Sequence, residues 1–296
     1  MRKPDLIIDL HIVSAAAHLL LLMFSNLLFA CTDNRNDSLN QLITYKRLNS
    51  KTIQVALGCD AITAISTKRG IVVIDSGISS SLAKKYREII RKEFGLDNFL
   101  YLINTHSHPD HTGGNLAFPE SVIIGHENCE GEMLEYWKEP EKVRDGLVRI
   151  VDQLNKQLNS SELNKDEQDE IKKQIIRYRS ALDDINQQSG ILYPDKTFSD
   201  QMTFSVDDLS FSLIYFGTAH SKSDIIIDLP ELKILFTGDL FSRYGRPHFE
   251  IGKVKKSERW EIVKKWLLER KADIEQIITG HGEVLSVDDL IAFINY

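Results

Sequence analysis

Apolar positions along the chain follow two rhythms. Short apolar runs at 52–57, 61–67, 71–74, 99–103 and 121–125 are separated by turn residues and predict strands. A second series, at 197–206, 209–216, 224–229, 232–236 and 275–278, does the same later in the chain. Helical spacing predicts a helix at 80–94, where serines supply the N-cap, and further helices at 257–270 and 286–294. Between 127 and 188 the rhythm changes. Leu147, Val151, Leu154 and Leu158 are spaced four, three, four; Ile171, Ile175, Tyr178, Leu182 and Ile185 are spaced four, three, four, three. Asn159, Ser160 and Ser161 break the two sets, so the segment predicts a helical hairpin with facing apolar seams.

The start of the chain is different again. Arg2 and Lys3 precede a nearly continuous apolar stretch at 12–30, which reads as a secretory signal over 1–30. Cys31 follows Ala30 and begins a polar stretch, an arrangement similar to a bacterial lipoprotein cleavage site with Cys31 lipidated. The expectation is an exported protein, periplasmic or anchored in the membrane as a lipoprotein, with soluble export and an uncleaved anchor as alternatives. The organisation expected is signal 1–30, polar tether 31–50 and folded domain 51–296. The remaining cysteines, Cys59 and Cys129, are free structural thiols or a pair formed in an oxidising compartment.

Composition narrows the function classes. Of 296 residues, 42% are hydrophobic and 27% charged, the balance of an ordinary globular protein. The formal net charge of −7 argues against a nucleic-acid substrate, which wants a basic surface. Membrane contact is expected only through the N-terminal segment.

The chemistry concentrates in His106-Ser107-His108-Pro109-Asp110-His111, directly after the apolar run 99–103. Imidazole and carboxylate are ligand types that zinc takes. In extended backbone His106 and His108 point the same way, and Pro109 then turns the chain, so Asp110 and His111 aim elsewhere. Gly113 and Gly114 are expected to allow a tight turn. Three later residues, His220, Asp239 and His281, each follow a strand-like run with a small residue or glycine beside them.

Together these residues resemble the metallo-β-lactamase superfamily of metallo-hydrolases, over roughly 52–293. The resemblance implies a four-layer αβ/βα sandwich, with 127–188 as a helical-hairpin insertion. It also implies two zinc ions per chain: His106, His108 and His220 holding the first, Asp110, His111 and His281 the second, with Asp239 bridging. Asp75, in a strand-end Asp-x-Gly, would orient the ligand loop. Lactamases of this fold carry Cys or Ser at the place of Asp239, so the aspartate is closer to the thioesterase, lactonase and phosphodiesterase branches.

Two metals that share a hydroxide make a hydrolase of a small carbonyl substrate (thioester, lactone or lactam) the leading expectation, with Asp110 orienting the nucleophile or carrying a proton. Lys222, Arg243, Tyr244, Arg246 and His248 could line a pocket, and Tyr136, Trp137 and Tyr193 an aromatic wall. Two other readings stand beside it. One is an oxidoreductase similar to the sulfur dioxygenases of the same superfamily, with one iron. The other is a non-catalytic extracytoplasmic binding protein. The insert is read as a lid or substrate-selecting cap, or else as surface decoration or a dimer contact.

Overall fold

A computed structural model describes residues 41–160, 162–241 and 258–295. The signal segment 1–30, the lipidation candidate Cys31 and the pocket candidates Arg243, Tyr244, Arg246 and His248 lie outside the described residues.

Two sheets stack face to face. The first has seven strands in the order β1 to β7: Thr44–Arg47, Thr52–Leu57, Asp60–Ser66, Ile71–Ile74, Phe99–Ile103, Val122–His126 and Lys196–Phe198. Strands β1 to β4 form an antiparallel meander, and β4 to β7 run parallel. The second sheet runs β13-β12-β11-β10-β9-β8. Its strands are β8 (Gln201–Val206), β9 (Leu209–Tyr215), β10 (Ile225–Leu229), β11 (Ile234–Gly238), β12 (Gln276–Thr279) and β13 (Val284–Leu285). Only β11 and β12 pair in parallel there.

The core lies between the sheets. Ile65, Val72, Ile74 and Ile103 of the first meet Phe211, Leu213, Ile227 and Phe236 of the second. The other face of the second sheet packs on helices α6 (Glu258–Arg270) and α7 (Val287–Asn295) through Val263, Leu267 and Leu290. Helix α1 (Ser80–Phe94) lies against β2 and β3 and buries Leu82, Ala83, Tyr86 and Ile90. Its Ser79 cap accepts from the Leu82 N–H, and Gly95 ends it in the left-handed region. The result is a four-layer αβ/βα sandwich.

The chain departs from expectation in three places. Thr44–Arg47, inside the expected tether, is strand β1 paired with β2, and Ile43 beside it is buried. Its Lys46 and Arg47 make it a charged edge strand, so it carries no apolar alternation to read. The single run 197–206 is two strands, because Ser199 and Asp200 carry the chain from β7 in one sheet to β8 in the other. The insert has three helices: α3 (Asn128–Tyr136), α4 (Pro140–Leu158) and α5 (Lys165–Asn186). Helices α4 and α5 pack together over Leu147, Val151, Ile171, Ile175 and Ala181, while Leu154 and Leu158 are only half-buried.

Candidate metal centre

Every predicted donor follows the C-terminal end of a strand. β4 delivers Asp75 and β5 delivers 106–111, and these two strands are parallel neighbours. β11 and β12, also parallel neighbours, deliver Asp239 and His281; β9 leads to His220. Parallel pairing puts C-terminal ends side by side, so residues far apart in sequence meet at one edge.

The cluster's local geometry comes from Pro109. His108 is extended (φ −63°, ψ 146°) and caps a one-turn helix, α2 (Pro109–Thr112), that begins at the proline. His108 therefore leaves from extended backbone, following a bend at 105–107 that carries His106, and Asp110 and His111 leave from a helical turn. Gly113 and Gly114 have ordinary negative φ, so no left-handed turn requires them. What excludes a side chain is contact: a Cβ would collide with the carbonyl of Ile78 at Gly113 and of Ser76 at Gly114.

Seven side chains converge. His106, His108 and His220 form one group, His106, His111 and Asp239 another, and Asp110, His111 and His281 a third. Within each group the donor atoms all lie within 4.8 Å of one another. His220 Nε2 is 3.0 Å from His108 Nδ1 and 3.5 Å from Asp239 Oδ2. His281 Nε2 is 3.1 Å from Asp239 Oδ2, and His111 Nε2 is 3.5 Å from Asp239 Oδ1. Asp239 thus faces imidazoles of both halves.

Hydrogen bonds behind the rings set their tautomers. His111 Nδ1–H donates to Asp75 Oδ2 at 2.9 Å, and His281 Nδ1–H donates to the Cys59 carbonyl at 2.9 Å. Asp75 also accepts from the Thr105 hydroxyl at 2.8 Å, which leaves the Thr105 oxygen to accept from His106 Nδ1–H at 3.1 Å. In each ring the Nε2 lone pair is left facing inward. His106 Nε2, His111 Nε2 and Asp239 Oδ1 are buried with no hydrogen-bond partner. Buried polar atoms are rarely left so, and a shared cation is the simplest partner for two lone pairs and a carboxylate.

Electrostatics agree. Burial pushes His106 and His108 below the usual imidazole range, as neutral ligands require. Burial opposes charge on His111 too, but Asp239, Asp110 and Asp75 hold it well above that range. Against burial, His111, His281 and His106 keep the Asp239 carboxyl far below the usual carboxylate range. The carboxylates create a demand for positive charge at this spot, and a proton or a divalent cation would meet it.

Two supports have no signal in the sequence pattern. Glu132 of α3 accepts from Ser107 Oγ (2.8 Å), Ser223 Oγ (2.6 Å) and the Lys222 N–H (2.9 Å), tying the loop of His106 and His108 to the loop after His220. Arg177 of α5 donates to Asp110 Oδ2 at 2.8 Å. Neither is near the ligands in sequence. Of the pocket candidates, Lys222 has an exposed side chain, and Tyr136 is 43% exposed. Trp137 lines a cavity of about 500 Å³ with Ile78, Pro140, Arg144, Ala181 and Ile185, which contains none of the seven donors. Tyr193 is half-buried. Cys59 and Cys129 are both free thiols.

The model of the metallo-beta-lactamase superfamily matches residues 61–281, which spans all seven donors. The chain belongs to the metallo-β-lactamase superfamily. Solved structures share the fold at low identity. A metallo-beta-lactamase from Pontibacter korlensis is 16% identical, with 86% of this chain and 99% of that chain covered and a TM-score of 0.51. The FIM-1 metallo-beta-lactamase from Pseudomonas aeruginosa, in its mono-zinc form, is 15% identical, with 86% and 93% covered and a TM-score of 0.52. The inverting sec-alkylsulfatase Pisa1 from Pseudomonas sp. is 17% identical, with a TM-score of 0.58; the match covers 87% of this chain and 41% of that enzyme. No curated protein matches the chain.

Proposed function

We propose that this superfamily member is a dizinc hydrolase of a small carbonyl substrate: a thioester, a lactone or a lactam. The observation that carries the reading is Asp239, whose Oδ2 faces both His220 and His281 and whose Oδ1 faces His111, so one carboxylate meets imidazoles of both ligand groups. His106, His108 and His220 would hold one metal, Asp110, His111 and His281 the other, with Asp239 shared. Two divalent metals supply a nucleophile from water at neutral pH and a Lewis acid for the substrate oxygen.

The protein's own groups do the rest. Asp75, Thr105 and the Cys59 carbonyl fix three rings with their lone pairs inward. Asp110 is kept ionised against burial by His111 and Arg177, so its carboxylate is available to hold a metal and to orient the nucleophile. The apolar segment before Cys31 supports an exported setting.

The test is metal analysis with substrate profiling. Purified protein is loaded with zinc, its metal content measured, and turnover assayed on thioesters, lactones, β-lactams, phosphodiesters and, given the sulfatase neighbour, alkyl sulfates. Two zincs per chain, with carbonyl turnover lost in Asp239→Ala, is the expected result. A single iron would favour the oxygenase reading. Two metals without turnover of any class would favour the binding reading.

A further inference from the structure

The helical insert reaches the metal centre through one buried cation. Arg177 lies on α5, 67 residues after Asp110 in sequence, and is 5% exposed. Its guanidinium spans two carboxylates: Nη2 donates to Asp110 Oδ2 at 2.8 Å and Nε to Asp60 Oδ2 at 3.3 Å. Nη1 lies 3.2 Å from Cys59 Sγ. Asp60, at the start of β3, is itself buried and anchored by the Ile78 N–H and the Tyr86 hydroxyl. The chain of contacts therefore runs from the core sheet through Arg177 to Asp110.

The helix bearing Arg177 is fixed on the same stripe. One turn on, Ser180 Oγ is 2.8 Å from the Ser79 hydroxyl, and a turn further the Asp184 carboxylate accepts from the Ser80 N–H at 2.6 Å. Positions 177, 180 and 184 share one helix face, so α5 docks as a rigid edge. The Asp110 oxygen that Arg177 holds is also the one that lies 3.9 Å from His111 Nε2 and 3.9 Å from His281 Nε2. Between them, Cys59 and Asp60 support both sides of this group: the Cys59 carbonyl fixes His281, and Asp60 fixes Arg177.

We propose that Arg177 is a positioning residue of the centre: from the insert, it holds Asp110 at the Asp110–His111–His281 metal position and so sets that position's affinity separately from the other. The inference rests on the two-metal reading. A lysine would not substitute, because a point ammonium cannot bridge two carboxylates as a planar fork does.

The experiment measures stepwise zinc affinity by competition with a chromophoric chelator, on wild type, Arg177→Lys, Arg177→Met and the exposed same-helix control Arg179→Met. Arg177→Lys keeps a cation for buried Asp60 and covers the case where Arg177→Met fails to fold. The expected result for Arg177→Lys is a second zinc weakened by about 10–100-fold, with the first changed by less than about threefold. Arg179→Met should match wild type. Cobalt spectra should lose the second site's bands in the Arg177 variants and keep them in Arg179→Met. In turnover, kcat should fall while KM holds. If the second zinc is held as tightly as in wild type or more tightly, or if both zincs weaken equally, the inference is overturned while the two-metal reading stands. A wild type that takes up one metal per chain overturns both.

Discussion

Asp75→Asn isolates the role of one carboxylate. Asp75 is buried and sits at φ 58°, a left-handed conformation that asparagine tolerates well, so the change adds no backbone strain. The wild-type carboxylate accepts three hydrogen bonds: from the Thr105 N–H at 2.8 Å, the Thr105 hydroxyl at 2.8 Å and His111 Nδ1–H at 2.9 Å. The amide retains one acceptor oxygen. If that oxygen stays on the Thr105 N–H, the new NH2 faces Thr105 Oγ1 and His111 Nδ1, both of which were donors. The hydroxyl can rotate, but His111 must move its proton to Nε2, the atom aimed at the metal. Two charge-assisted bonds worth about 1.5–3 kcal/mol each become neutral ones worth about 1 kcal/mol, so folding should lose about 1–4 kcal/mol. The misplaced proton should weaken the second metal by about 10–100-fold, or about 1.4–2.8 kcal/mol. The first metal should shift less, because Thr105 Oγ1 can still serve His106. Urea denaturation of chelator-treated protein reads the first quantity and zinc competition the second. Asp75→Asn protein that binds both zincs with wild-type affinity would refute the tautomer argument.

Two further outcomes are expected. Gly280→Ala should cost the second metal outright, because a Cβ there would collide with the Asp239 carboxylate and lie 2.7 Å from His111 Cε1; metal content by mass spectrometry checks it. Burial raises Asp224 from the ordinary 3.8 to about 7, so the folded state binds the extra proton and wild type loses stability as pH rises towards 7, on the order of 4 kcal/mol in all; Asp224→Asn should therefore gain on wild type between pH 5 and pH 8.5 in chelator-treated urea melts.

The seven candidate donors were legible because all of them follow strand ends, and strands announce themselves by local apolar runs. His106, His108, Asp110 and His111 share six residues, and His220, Asp239 and His281 each follow a run that stands alone. The structure brings all seven together. Asp75 was legible for the same reason, as a strand-end aspartate. What local pattern does not carry is pairing across the fold. Arg177 looks like any charged position on an amphipathic helix, since its partners Asp60 and Asp110 lie 117 and 67 residues away. Glu132 is one of several acids in its helix, and only the fold shows that it spans the Ser107 and Ser223 loops. Edge strand β1 escaped because its residues are exposed. The split of 197–206 escaped because two strands in different sheets can be continuous in sequence.

These missed contacts decide between readings of the insert. A detachable lid or a surface decoration would meet the core through apolar or solvated contacts, and its removal would leave the centre intact. Here the insert meets the centre at both ends with opposite charges. Glu132, near its start, ties the loop of His106 and His108 to the one that follows His220. Arg177, near its end, holds Asp110 and neutralises Asp60. Truncating Arg177 alone would leave Asp60 a buried carboxylate without its cation, a loss of about 3–5 kcal/mol. A lid function is thereby confined to the parts that touch no ligand support, chiefly α4, where Val148 and Ile150 are exposed on the outer surface. Substitutions of Val148 and Ile150 on the exposed face of α4 should leave the Glu132 and Arg177 contacts intact, whereas substitutions on the docked face of α5 should disturb the candidate metal centre.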